Sequence, residues 1–368
     1  MLFHSSVRKE LARSFGATLV VLITIVMTMT LIRTLSQASR GSVNPQEVLM
    51  VMGYTVLGYL APLLTLSLFV AIVAVLSRMW RDSEMVIWFS AGRGLSSLLK
   101  PLMRFAWPIL LVVALLALVG WPWTNEQTRE LRQRYGSRSD LERVAPGQFQ
   151  ESASGTRVFF LDKDTPDNKS GKNIFIATQE RGKETVTSAR TGQVIAQGDS
   201  QFLVLEHGQR MERSLSKQEV KLSVYEEMGT RVGAATVDEQ DEIPAKARST
   251  LELLGDPSPR SQGELAWRLG LIMAAFNFVV VATIVSGVNP RAGRSGHMLF
   301  ALFAFIIYYN LLNLGQSWIG GGRVNAVGFM VGLHGGVLLL ALLTLAKQHN
   351  NWSLRLRWRR PATAGARP

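Results

Sequence analysis

The chain has 368 residues, 47% of them apolar, with 40 Lys and Arg against 27 Asp and Glu, a formal charge of +13. The apolar residues gather in long runs, which argues against a large soluble core. Residues 124–264 hold 20 basic and 23 acidic side chains, so the 20 basic and 4 acidic that remain belong with the apolar runs, a bias that loop charge explains without nucleic acid.

The runs are 15–35, 54–76, 105–123, 265–288, 298–319 and 324–346. Each is about 20 residues, the length that crosses roughly 30 Å of hydrocarbon, so six transmembrane helices are expected. With the N-terminus inside, 15 basic residues fall on the cytoplasmic side: Arg8, Lys9, Arg13, Arg78, Arg81, Arg93, Lys100, Arg291, Arg294 and six in the tail from Lys347 to Arg367. The short loops opposite keep only Arg33, Arg40 and Arg323. The positive-inside rule then makes both termini cytoplasmic and residues 124–264 extracytoplasmic.

The first helix carries Thr18, Thr24, Thr28 and Thr30 and closes with Arg33 at the outer interface. Arg33 reads either as a snorkelling anchor or as a cation for an anionic headgroup. Its apolar run exceeds a signal-peptide core of about 7–15 residues, so an uncleaved helix is expected, although Ser36-Gln37-Ala38 imitates a cleavage site. Asn44-Pro45-Gln46-Glu47 starts the second helix, with Asn as N-cap, Pro at the first position and Glu at the third. Pro62 and Pro108 predict kinks in the second and third spans. Trp107, Trp121 and Trp123 suit the interfacial aromatic belts.

Arg78 to Lys100, between the second and third spans, reads as a short amphipathic helix. Asp82 can cap it, Glu84 sits in its first turn where the macrodipole favours an anion, and Gly92 or Gly94 can end it. Met85, Val86, Trp88 and Phe89 form one apolar stripe. A plain reversal needs only a few polar residues, so a structured surface here points to a partner on that side.

Residues 124–264 change period. Arg157–Leu161, Asn173–Ala177, Glu184–Ser188, Gly192–Ala196, Gln201–Leu205, Gln209–Arg213 and Val220–Tyr225 are strand-like, with turn signals such as Gly198-Asp199 and His207-Gly208 between them. Many short strands suggest a sandwich, jelly roll or open barrel. The chain has no cysteine, which is compatible with an oxidising compartment without requiring one. With no cofactor motif, a docking or conduit domain is expected rather than an enzyme. From Ala234 to Gly263 an acidic stretch containing prolines, with Asp238 to Glu242 and Gly255-Asp-Pro-Ser-Pro259, reads as a linker.

The fourth span holds Asn277 and leaves through the basic hairpin Val288-Asn289-Pro290-Arg291-Ala-Gly-Arg294. The fifth is the most polar, with Tyr309, Asn313 and Gln316 on one face and Asn310 beside them. Such residues either hydrogen-bond between helices or line a hydrated or ligand-bearing surface. The sixth has Gly328, Gly332 and Gly336 at four-residue spacing, a small-residue face for close packing. His334 reads as packed or hydrogen-bonded rather than as a ligand. The sequence has no phosphate-binding loop, no nucleophile elbow, no paired-histidine zinc motif and no chain of acids within the spans. No catalytic or metal-ligating residue is expected, and energy for any transport must enter from another chain.

Several segments together resemble the lipopolysaccharide-export permeases, the LptF/LptG family. They are Arg81-Asp-Ser-Glu84 to Ala91-Gly92, Trp121-Pro122-Trp123, Pro146-Gly147-Gln148-Phe149, Glu264-Leu265-Ala-Trp267-Arg268 and Val288-Asn289-Pro290-Arg291, the last two closer to the LptF branch. The resemblance covers nearly the whole chain. It implies a membrane α-helical fold of six spans, three plus three, with an inserted all-β periplasmic domain of jelly-roll type. The expected parts are residues 1–123 with a coupling helix at 82–92, the β-domain and linker at 124–264, spans four to six at 265–346, and a basic tail at 347–368.

By the same resemblance, Glu84, Asp82, Met85, Trp88 and Phe89 couple to a cytoplasmic ATPase and Arg33 meets the phosphorylated lipid A headgroup. Spans one and five gate the lipid cavity, which gives Thr30, Tyr309, Asn313 and Gln316 a gate or cavity role. The implied partners are an LptB-like ATPase dimer that binds the ATP, an LptG-like paralogous permease, and LptC- and LptA-like bridge proteins at an open edge of the β-domain. The substrate is lipopolysaccharide, this chain needs no cofactor of its own, and its place is the bacterial inner membrane. A mechanotransmission permease is the alternative, which the six spans argue against; a scaffold or receptor is the other, and the short cytoplasmic parts argue against that.

Overall fold

A computed structural model describes residues 2–39, 43–90, 94–136, 149–151, 157–160, 162, 170–180, 183–197, 200–214, 219–234, 243–286 and 294–349. Outside them lie Gly92, Pro146-Gly147-Gln148, Gly198-Asp199, Asp238 to Glu242, Val288 to Arg291 and the tail from Asn350. Among the described residues six stretches are helical, long enough and apolar enough to cross a membrane, namely Ser6–Ser39, Pro45–Arg81, Leu95–Arg134, Pro259–Val285, Met298–Gly320 and Ala326–Gln348. The expected six-span class with an inserted all-β domain is therefore found. The chain forms two compact units, 1–22 with 61–117 and 253–368, and 23–60 with 118–252.

Helices α1 (Leu2–Ser39) and α2 (Val48–Arg81) contribute to both units, while α3 (Glu84–Ser90), α4 (Leu99–Leu115), α7 (Pro259–Val285), α8 (Arg294–Gly320), α9 (Ala326–Met330) and α10 (Gly336–His349) belong to the first. A π-helical stretch, Val331–Gly335, joins α9 to α10.

Helix α7, like α2, is largely buried. Its start is set by Ser258, whose hydroxyl accepts from the Ser261 amide, and by Pro259 at the first position. Asp256 ties this cap down by accepting from both Ser258 and Ser261. The Gly255-to-Pro259 stretch, expected as linker, is thus a helix start. Phe278 of α7 packs on Phe69 of α2 at 4.6 Å and on Phe305 of α8 at 5.4 Å. A Cβ at Gly263 would stand 2.7 Å from the Gln316 carbonyl and 2.9 Å from the Gly320 nitrogen, so only glycine admits α8 this closely. Between membrane helices water expulsion adds little, and such close contact with interhelical hydrogen bonds supplies the cohesion. By contrast, nothing described lies within 4 Å of a Cβ placed at Gly328, Gly332 or Gly336, so that glycine face packs on nothing described in this chain.

In the second unit, Asn44 caps the turn Pro45–Glu47 as expected, its Oδ1 accepting from the Gln46 amide at 3.0 Å. Ala38, Val43, Val48 and Val51 pack with Leu131 of α5 (Trp121–Gly136). This helix runs 13 residues past the apolar limit at Trp123, held by pairs at helical spacing, Glu126 with Arg129 and Glu130 with Arg134. Helix α6 (Thr250–Gly255) starts on a reciprocal box in which Ser249 and Glu252 each accept the other's amide.

The described strands are β1 (Phe149–Glu151), β2 (Arg157–Phe160), β3 (Ser170–Glu180), β4 (Lys183–Gln197), β5 (Ser200–Ser214) and β6 (Glu219–Ala234). They form one antiparallel sheet in sequential order, β1 and β6 at its edges. Consecutive pairing of this kind is a meander, and no Greek-key crossing of a strict jelly roll occurs among the described pairings. Phe159, Ile174, Ile176, Ala189, Leu203 and Leu205 form its core, with Tyr225 and Met228 against it.

Two pairs of expected strands fuse, 184–188 with 192–196 in β4 and 201–205 with 209–213 in β5. His207-Gly208 is a strand irregularity rather than a turn. His207 takes φ 53° while Gly208 stays paired with Tyr225, whose hydroxyl crosses over it to donate to the Ser188 carbonyl at 3.0 Å.

Candidate functional site

The segment after α2 is built around Arg78. Helix α2 ends at Arg81, and Ser83 takes the left-handed φ of 61° that reverses the chain. Helix α3 opens at Glu84, with the Val86 amide returning to the Ser83 carbonyl at 3.1 Å. Arg78 donates to both Glu84 oxygens, at 2.6 and 3.3 Å, to the Glu10 carboxylate of α1 through Nε and Nη2, and to Asp82 at 3.1 Å. One planar guanidinium thus fastens three segments, the geometry for which arginine is suited. Desolvation pushes the Asp82 carboxyl up, but hydrogen bonds from Arg81 and Arg78 outweigh it and hold the group below its usual range.

This arrangement shows what each expected residue of α3 touches within the chain. Glu84 is bound to Arg78 within the chain instead of projecting from a free face, and Asp82 lies in the turn, bonded to Arg78 and Arg81, one residue short of the cap position. Met85 is fully buried, and Trp88 is buried with its indole nitrogen donating to Ser97 at 3.0 Å. These two anchor the helix. A partner can touch Val86, 64% exposed, Ile87, 73% exposed, the edge of Phe89, which leans on Trp80, and the open parts of Asp82 and Glu84. The expected stripe merged the two faces because a helix of 7 residues leaves the phase ambiguous.

On the polar face of α8, Asn313 accepts from the Trp267 indole at 2.9 Å and Gln316 donates to Glu264 at 2.7 Å. Asn313 and Gln316 therefore join α8 to α7, the interhelical reading of that face, and both stay partly exposed. Tyr309 stacks on Phe305 at 5.8 Å. Glu264 in turn pairs with Arg268 at 3.0 Å, both within α7 and essentially unexposed. Deeper, Asn277 donates to the Tyr308 hydroxyl at 2.8 Å and to the His334 carbonyl at 3.0 Å, and Tyr308 meets His334 Nδ1 at 2.8 Å. His334 is a packed, hydrogen-bonded residue, as expected.

In the second unit Thr30 is buried, its hydroxyl donating to the Val26 and Met27 carbonyls at 2.8 and 3.0 Å, so it turns back on its own helix. Arg33 is exposed, and Arg132 of α5 stands near enough to feel its like charge while donating to Gln37 at 3.2 Å. Sequence reading missed Arg132 because the third apolar run ends nine residues before it. The 3.6-residue spacing of the Glu–Arg pairs after Trp123 was the signal that the helix continued.

The family model "Lipopolysaccharide export system permease LptF/LptG" matches residues 7–347. The chain belongs to the LptF/LptG family. Curated LptF permeases of Escherichia coli strain K12, E. coli O157:H7 and Shigella flexneri are each 25% identical over 323 residues, covering 86% of this chain and 87% of the relative. These relatives agree with the LptF branch expected from the sequence. As an LptF/LptG member the chain is a multi-pass membrane permease of lipopolysaccharide export, and its β-domain interrupts the helices between the third span and the fourth.

Proposed function

We propose that this chain is the half-permease through which a separate ATPase dimer drives extraction of lipopolysaccharide from the inner membrane. The observation that carries the proposal is the fastening of α3. A handle transmits motion only if it moves with the spans behind it, and the Arg78 cluster with Met85 and Trp88 ties α3 to α1 and α2. The exposed face at Val86 and Ile87 suits a groove of an LptB-like ATPase, where contacts that differ between nucleotide states shift the permease equilibrium. ATP is bound by that partner, and no cofactor is assigned to this chain.

In this reading α3 and both termini are cytoplasmic and the β-domain is periplasmic, following the distribution of Lys and Arg. Helices α1 and α8 serve as gates, Arg33 with Arg132 meets the phosphorylated headgroup, and the sheet passes acyl chains toward LptC- and LptA-like bridge proteins at an open edge. An LptG-like permease completes the membrane part. Proteoliposomes containing the assembled complex, lipopolysaccharide and ATP test this. ATP-dependent delivery of lipopolysaccharide to an added acceptor β-domain is expected, and equal delivery without ATP contradicts it.

A further inference from the structure

Helices α4, α7 and α10 leave between them a groove of about 680 Å³. Lys100, Arg104 and Trp107 line it from α4 at positions i, i+4 and i+7, one stripe of that helix. Phe276 and Val280, one turn apart, line it from α7, and Leu342 lines it from α10. Trp107 is 60% exposed, Phe276 40% and Leu342 47%, so the chain leaves this wall uncovered. Lys100 and Arg104 are exposed at the end nearest α3, and neither pairs with a carboxylate among the described residues.

We propose that this groove holds an anionic glycerophospholipid, with an acyl chain along Trp107, Phe276, Val280 and Leu342 and the phosphate between Lys100 and Arg104. The volume falls within the range of roughly 300–1,000 Å³ typical of small-ligand sites. Charge decides the occupant. A neighbouring apolar helix would match the wall but offer no counter-charge to the two cations at its end. A phospholipid supplies both halves, hydrocarbon for the wall and phosphate for the cations. Basic pockets between transmembrane helices recognise phosphorylated headgroups by this chemistry. The bound lipid would fill the gap beside the largely buried α7 and brace α4 and α10 against it. The inference needs only that the chain spans a membrane and is independent of ATPase coupling.

The test uses the full complex, purified and delipidated, then titrated with phosphatidylglycerol, with zwitterionic phosphatidylethanolamine and with lipopolysaccharide, and read by native mass spectrometry. Wild type should prefer phosphatidylglycerol, and Lys100→Gln with Arg104→Gln should weaken that binding roughly thirtyfold, at about fivefold per lost cation. Lys100→Arg with Arg104→Lys should retain it, as should Lys347→Gln, a charge removed elsewhere. Unchanged binding in the double Gln variant overturns the proposal, as does equal affinity for phosphatidylethanolamine. A photoreactive side chain at Trp107 separates the remaining occupants. Its capture of phosphatidylglycerol supports the proposal, and capture of lipopolysaccharide or of a polypeptide overturns it.

Discussion

The Glu84 carboxylate, at the first residue of α3, accepts hydrogen bonds from Arg78 of α2 at 2.6 and 3.3 Å. An acid that the family resemblance assigns to a partner is thus also an internal fastening. The same guanidinium also holds Glu10 of α1, so the α3 turn and the first two helices share one charged node. Motion imposed on α3 would reach α1 and α2 through it.

Arg78→Gln should loosen this node. It leaves the Glu10 and Glu84 carboxylates, each about one-third exposed, with a weaker donor, at a cost of about 1–3 kcal/mol. A lower melting temperature with less ATPase retained on purification is the expected outcome. Glu84→Gln keeps an acceptor and should cost less.

The two faces of α3 should separate stability from coupling. Met85→Ala empties a fully buried site and should destabilise by about 2–5 kcal/mol. Ile87→Asp, on an exposed position, should leave stability within about 0.5 kcal/mol while releasing the ATPase. Thermal melting and quantitative pull-down read the two effects.

The Glu264–Arg268 pair is buried on both sides. Glu264→Ala removes the carboxylate that pairs with the buried guanidinium and one Gln316 hydrogen bond, so a loss of about 3–5 kcal/mol is expected, whereas Glu264→Leu with Arg268→Met should lose much less. Melting of the purified complex distinguishes them.

Arg33→Glu should lower lipopolysaccharide export about tenfold, the order expected for losing one charge-assisted contact. Arg132→Gln should act in the same direction, and Arg33→Lys should be mild. Undiminished export in Arg33→Glu would leave Arg33 as an interface anchor only.

The spans were legible because uninterrupted apolar runs of membrane length have few other uses. The N-cap at Asn44 was legible for a local reason, since its hydrogen bond closes within three residues. Strand ends in β4 and β5 were not, because Ala189 and Thr191, between two expected strands, and Gly208, expected in a turn, pair within the sheet. Roles on α3 and α8 were hidden for another reason. Whether Met85, Trp88, Asn313 or Gln316 faces outward depends on partners remote in sequence, Ser97, Trp267 and Glu264 among them, and a polar stripe looks the same whether it binds a ligand or a neighbouring helix.

The most direct test of an ATP-driven permease is to solubilise the tagged chain gently from its native membrane and identify every co-purifying chain by mass spectrometry, comparing wild type with Ile87→Asp. A phosphate-loop ATPase and a second six-span permease are expected with wild type, and the permease without the ATPase in the variant. Recovery of wild type without any ATPase would contradict the account.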